Sequence, residues 1–77
     1  MSISNENVEK LIKDGMENVD VTVSGDGYKY EAHIVSDAFE GLNTMKRHQM
    51  VYAILNDVIT SGELHALTIK AYTPEEA

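Results

Sequence analysis

The sequence predicts an α+β fold of two layers: a three-stranded mixed sheet with helices on one face, in the order helix, strand, strand, helix, strand. Three observations carry this. Apolar residues alternate on both sides of Gly25-Asp26-Gly27, helical spacing governs the segments before and after that hairpin, and the run from Leu64 to Tyr72 is again strand-like.

Ser4 caps a first helix, in which Val8, Leu11, Ile12 and Met16 fall at helical spacing and Gly15 stands near the end as a breaker. Val19, Val21 and Val23 then alternate with Asp20, Thr22 and Ser24. After the glycine-bracketed turn a second alternation runs Tyr28, Tyr30, Ala32, Ile34, which makes the pair a β-hairpin. Residues 36 to 43, SDAFEGLN, are polar and turn-prone, with Phe39 and Leu42 pinning the connection to the core. From about Thr44 to Ser61 one helix is expected, with Met45, Val51, Leu55, Val58 and Ile59 inward and Gly62 as its C-terminal cap. Leu64 to Tyr72 forms the third strand, Pro74 ends it, and Glu75-Glu76 either start a short helix or fray. A crossover containing a long helix returns parallel to the strand it left, so the third strand is expected parallel to the second. This plan resembles the KH-like arrangement of the second topological type.

A chain of 77 residues is read as one domain, 1–77, near the size at which an apolar core leaves only about 3 to 5 kcal/mol of net stability. Cysteine is absent, which excludes disulfides, thiolate ligands and a cysteine nucleophile from this chain. Thirteen Asp and Glu against six Lys and Arg give a net charge of -7, a field that disfavours phosphate polymers unless the cations gather on one face. MSISNENVEK has the pattern of neither a signal nor a transit peptide, and no apolar run approaches the roughly 20 residues of a membrane span. The expected setting is cytoplasmic, with no membrane partner.

The histidines are the residues with chemistry to offer. In a parallel pair both strands start at the same end of the sheet, so His65, opening the third strand, is expected beside the loop Gly25 to Lys29. His33 lies some five residues further along, roughly 15 Å away, and is not expected to share a metal with His65. His65 also has the parity of Leu67, Ile69 and Ala71, which turns it toward the helices; a histidine hydrogen-bonded at the core edge competes with a metal ligand as its reading. Lys46, Arg47 and His48 form a basic knot at the start of the second long helix. The knot is either a contact for nucleic acid or an acidic partner, or a solvated helix face. No GXXG loop of the KH type, nucleophile elbow or phosphate-binding glycine loop is present, and Asp37 and Glu40 read as turn residues rather than a catalytic pair.

VSDAFEG, the RHQMVYAIL run and HALTIKAYTPEE, in this order and spacing, resemble the BolA family, and the ending IKAYTPEE is most similar to its IbaG-type bacterial branch. The resemblance covers the chain from about Val8 to Glu76. It implies a small non-enzymatic partner of monothiol glutaredoxins, with glutathione, in the binding or delivery of a two-iron two-sulfur cluster, in iron homeostasis and the stress response. On that resemblance His65 is the cluster ligand, and the second ligand comes from the hairpin loop. Here the sequence departs from the pattern. Lys29 stands where IbaG-type relatives carry a histidine, and Asp26 lies near the place of a cysteine in other branches, so Asp26 is only a hard, weak candidate. Gly25, Gly27, Lys29, Arg47 and His48 are the expected partner contacts. The alternative is a nucleic-acid-binding transcriptional regulator using Lys46, Arg47 and Lys70.

Overall fold

The computed structural model describes residues 3–26, 28–64 and 66–77. Helix α1 spans Asn5–Gly15, strands β1 and β2 span Val19–Gly25 and Lys29–Ser36, a single 3-10 turn covers Asp37–Phe39, helices α2 and α3 span Thr44–Ile54 and Asn56–Thr60, and strand β3 spans Ala66–Tyr72. The sheet order is β1-β2-β3, with β1 and β2 antiparallel and β2 and β3 parallel. The α+β plan and the parallel return therefore stand as the patterning predicts.

Alternation decides the two faces of the sheet. Val21, Val23, Tyr30, Ala32, Ile34 and Ile69 are buried against Val8 and Ile12 of α1 and Val51 of α2, together with Leu55, Leu64 and Phe39, in one apolar cluster. The opposite face carries Asp20, Thr22 and Ser24 of β1, Lys29, Glu31 and His33 of β2, and Thr68 and Lys70 of β3. Helix α1 starts where Ser4 accepts a hydrogen bond from the Asn7 N–H (3.1 Å) and ends at Gly15. A methyl group at Gly15 would press within 2.8 Å of the Ile54 side chain, so this glycine also permits the close approach of α1 and α2.

Four expectations are corrected. The helix expected from Thr44 to Ser61 is broken at Leu55, whose ψ of 9° leaves the helical range; the ladder resumes with the Ile59 N–H donating to the Leu55 carbonyl at 3.0 Å. Leu55 is fully buried at that break, and Val58 and Ile59 beyond it stay packed on the core. Met45, expected inward, is 68% exposed, because it lies on the side of α2 opposite Val51. Tyr28, expected to continue the inward alternation, precedes the first β2 residue and is 67% exposed. The end of the chain neither frays nor continues as a helix. It closes as a turn in which the Glu76 and Ala77 N–H groups donate to the Thr73 carbonyl at 3.0 and 3.1 Å.

Candidate functional site

Three segments meet at the end of the sheet where β2 and β3 begin. Lys29 pairs with Ala66, so the hairpin loop and the approach to β3 are neighbours. Asp26 organises the loop: its Oδ1 accepts from the N–H groups of Tyr28 (2.9 Å) and Lys29 (3.0 Å), an arrangement that needs no partner from elsewhere in the chain. Those N–H groups, Lys29 first and then Tyr28, hold the Asp26 carboxyl below its usual value. Gly25 has φ +153°, and a side chain there would run into the Lys29 backbone carbonyl, so the bend itself demands glycine. The start of α1 closes the site: Asn5 Nδ2 donates to the Gly25 carbonyl (3.3 Å), the Ile3 N–H donates to the Glu63 carbonyl (3.1 Å), and the Tyr30 hydroxyl donates to the Ile3 carbonyl (2.6 Å). Leu64 is buried and anchors the segment that leads into β3.

His65 and Gly27 lie outside the described residues. The positions around them are defined: Leu64 and Ala66 flank the first, Asp26 and Tyr28 the second. His33 sits four pairs further along, opposite Thr22 on one side and Lys70 on the other, on the open face of the sheet, with its ring centroid 5.1 Å from that of Tyr72. The structure therefore does not bring His33 to the loop. Among the described residues no three His, Asp or Glu side chains converge as a metal-binding group.

The basic knot is divided. Arg47 is in phase with Val51 and Ile54 and turns inward, its side chain only 13% exposed. Its Nε donates to the Leu42 carbonyl (2.9 Å) and its Nη1 to the Ala71 carbonyl (3.2 Å), while both Nη atoms reach Glu76 (2.7 and 3.3 Å) and the guanidinium lies 5.9 Å from the Phe39 ring centroid. Glu76 also accepts from the Thr73 N–H at 2.8 Å, and these contacts, Arg47 before Thr73, lower its carboxyl from 4.5 to about 2. Lys70 is held by Glu31 at 2.7 Å, which raises the lysine and lowers the carboxyl. Lys46 is exposed and His48 half-buried. Arg47 meets Ala71 near the finish of β3, so Arg47 and His48 lie at the other end of the strand from Lys29, about five residues or roughly 16 Å away.

With this geometry in place the comparison with known proteins is decisive. The family model described as BolA-like protein matches residues 5–76. The chain belongs to the BolA-like family. This BolA-like chain is 34% identical over 74 residues to the acid stress protein IbaG of Escherichia coli K12, covering 96% of the chain and 88% of that protein. The structure of a BolA homologue from Coxiella burnetii superposes with a TM-score of 0.84 at 32% identity, covering 96% of this chain and 95% of that one. The BolA domain of SufE1 from Arabidopsis thaliana gives a TM-score of 0.85 at 30% identity, covering 100% and 99%.

Sequence reasoning missed the inward course of Arg47 and the two α1 side chains that serve the sheet, Asn5 at the loop and Glu9, whose Oε2 accepts from the Val23 N–H at 2.9 Å on the outer edge of β1. The phase of Arg47 with Val51 and Ile54 was a readable signal; a polar helix residue capping a strand edge leaves none in a single sequence.

Proposed function

We propose that this BolA-like protein is a non-enzymatic adaptor that joins a monothiol glutaredoxin and glutathione in holding a two-iron two-sulfur cluster, in the cytoplasm. Homologues of the family, the BolA domain of SufE1 among them, fit a role in iron-sulfur biology. The observation that carries the reading is the pairing of Lys29 with Ala66, which sets the Asp26 loop beside the chain position that follows His65. In this proposal His65 gives one neutral imidazole, and thiols of the partner and glutathione complete the set.

The residues present fit a shared cluster rather than one held by this chain alone. Asp26 already spends Oδ1 on two backbone N–H groups, and the Lys29 ammonium has no lone pair to give. The loop therefore serves as a rest for the partner surface, with Tyr28, Lys29 and Gly25 as contacts. The nucleic-acid reading gains nothing from the geometry, because Arg47 and Lys70 are both engaged with carboxylates.

Titrating the protein into a monothiol glutaredoxin loaded with cluster and glutathione tests the proposal by visible absorption and circular dichroism. A new spectrum with the native chain, absent with His65→Ala, is expected. Identical spectra with native chain, variant and buffer overturn it.

A further inference from the structure

Among the described residues, two of the three large apolar side chains that stand exposed, Met45 and Tyr52, lie on the outer side of α2. Met45, Gln49, Tyr52 and Ala53 lie on the helix side opposite Val51 and Ile54 and are all exposed, Met45 at 68% and Tyr52 at 43%. Helix α2 is thus apolar on two sides, one buried in the core and one facing solvent. Lys46 lies on the same outer side and is exposed; among the described residues the two ion pairs are Arg47–Glu76 and Lys70–Glu31, and Lys46 belongs to neither.

Charge gives this face a direction. The chain carries thirteen acidic residues, yet none falls between Gly41 and Asn56. The first turn of α2 has no acid against its positive end. A molecule of net charge -7 therefore has one helical face that is locally cationic and apolar. A second copy meeting this face with its own would set Lys46 near Lys46, with no carboxylate between residues 41 and 56 to answer either, and a phosphate polymer would find one exposed cation beside three apolar side chains, since Arg47 is turned to Glu76. A protein segment with carboxylates around an aliphatic anchor matches all three features.

We infer that the outer face of α2, Met45, Lys46, Gln49, Tyr52 and Ala53, is a second docking surface, which takes an acidic amphipathic helix of a partner protein. Its aliphatic anchor seats between Met45 and Tyr52, one helical repeat of seven residues apart, and a carboxylate meets Lys46. Arg47 places the start of α2 beside Ala71, at the opposite end of the sheet from the Lys29–Ala66 pair, so this surface and the loop site are separate and can be occupied together.

The test uses the isotopically labelled protein and three probes: a designed 16-residue helix of leucines and glutamates, the same helix with lysines for glutamates, and a 20-base-pair DNA duplex. The acidic helix is expected to shift the amide resonances of residues 45 to 53 while leaving those of residues 25 to 29 in place, and to bind at least tenfold more weakly to Lys46→Glu and to Tyr52→Ser. All these side chains are exposed, and unchanged far-ultraviolet circular dichroism confirms that the variants fold. The inference is overturned if the acidic helix shifts other residues or none, if the basic helix binds equally well, if the duplex occupies residues 45 to 53 in preference to the acidic helix, or if the free protein associates with itself through this face.

Discussion

Replacing Arg47 by Met keeps an unbranched apolar side chain and removes the guanidinium, and the structure sets the size of the effect. The carbonyls of Leu42 and Ala71 each lose a charged donor. Both residues are half-buried, so about 1 kcal/mol apiece is appropriate, below the 1.5 to 3 of a fully buried bond to a charge. The cation over the Phe39 ring adds about 0.5 to 1 kcal/mol. The pair with Glu76 is left out of the sum because that side chain is 46% exposed. About 2.5 to 3 kcal/mol is then at stake, against the roughly 3 to 5 that a core of this size leaves, and the melting temperature is expected to fall by about 10 to 20 °C. Arg47→Lys keeps the charge but lacks the fork that serves two carbonyls and a carboxylate at once, and is expected to recover less than half of the loss. Thermal unfolding followed by circular dichroism measures all three proteins. A fall below about 3 °C for Arg47→Met would mean that the guanidinium is a surface group, as the sequence pattern implied, and not the brace of the α2–β3 end.

The Glu76 carboxyl has a lower value in the fold, about 2, than its ordinary 4.5, so the stability it gives is complete above about 4.5 and is lost as pH falls through about 2. Glu76→Gln should therefore flatten the decline of the urea midpoint between pH 4.5 and 2 relative to the parent, and parallel declines would refute the contact. Gly25→Ala places a methyl group against the Lys29 carbonyl at a positive φ, so about 2 kcal/mol or more of destabilisation is expected, with the amide resonances of Tyr28 and Lys29 displaced furthest. A stability within 0.5 kcal/mol of the parent, read from urea unfolding, would show that the bend accepts a side chain.

The fold was largely legible because period-2 and period-3.6 patterns are consequences of which side of an element is buried. Val21, Val23, Ala32 and Ile34 announce one buried face of the hairpin, and Val8 with Ile12 the buried side of α1. The bend at Leu55 was not legible. It contains neither proline nor glycine, and the apolar spacing of Leu55, Val58 and Ile59 continues across it. Met45 misled for a related reason: a methionine at helical spacing was assigned to the core although its phase points away from Val51. At the candidate site the parallel register was derivable, so the Lys29–Ala66 neighbourhood was too. The inward phase of Arg47 was readable from Val51 and Ile54, but its partner was not, because Glu76 lies twenty-nine residues away and local pattern carries no trace of such a contact.

The account rests on an imidazole nitrogen bound to iron in the shared cluster. Pulsed electron paramagnetic resonance of the reduced complex reads the nitrogen hyperfine coupling directly. The account predicts a strong coupling with the native chain that vanishes with His65→Ala and persists with Asp26→Asn. An identical nitrogen signal, or none, with both the native chain and His65→Ala would contradict it.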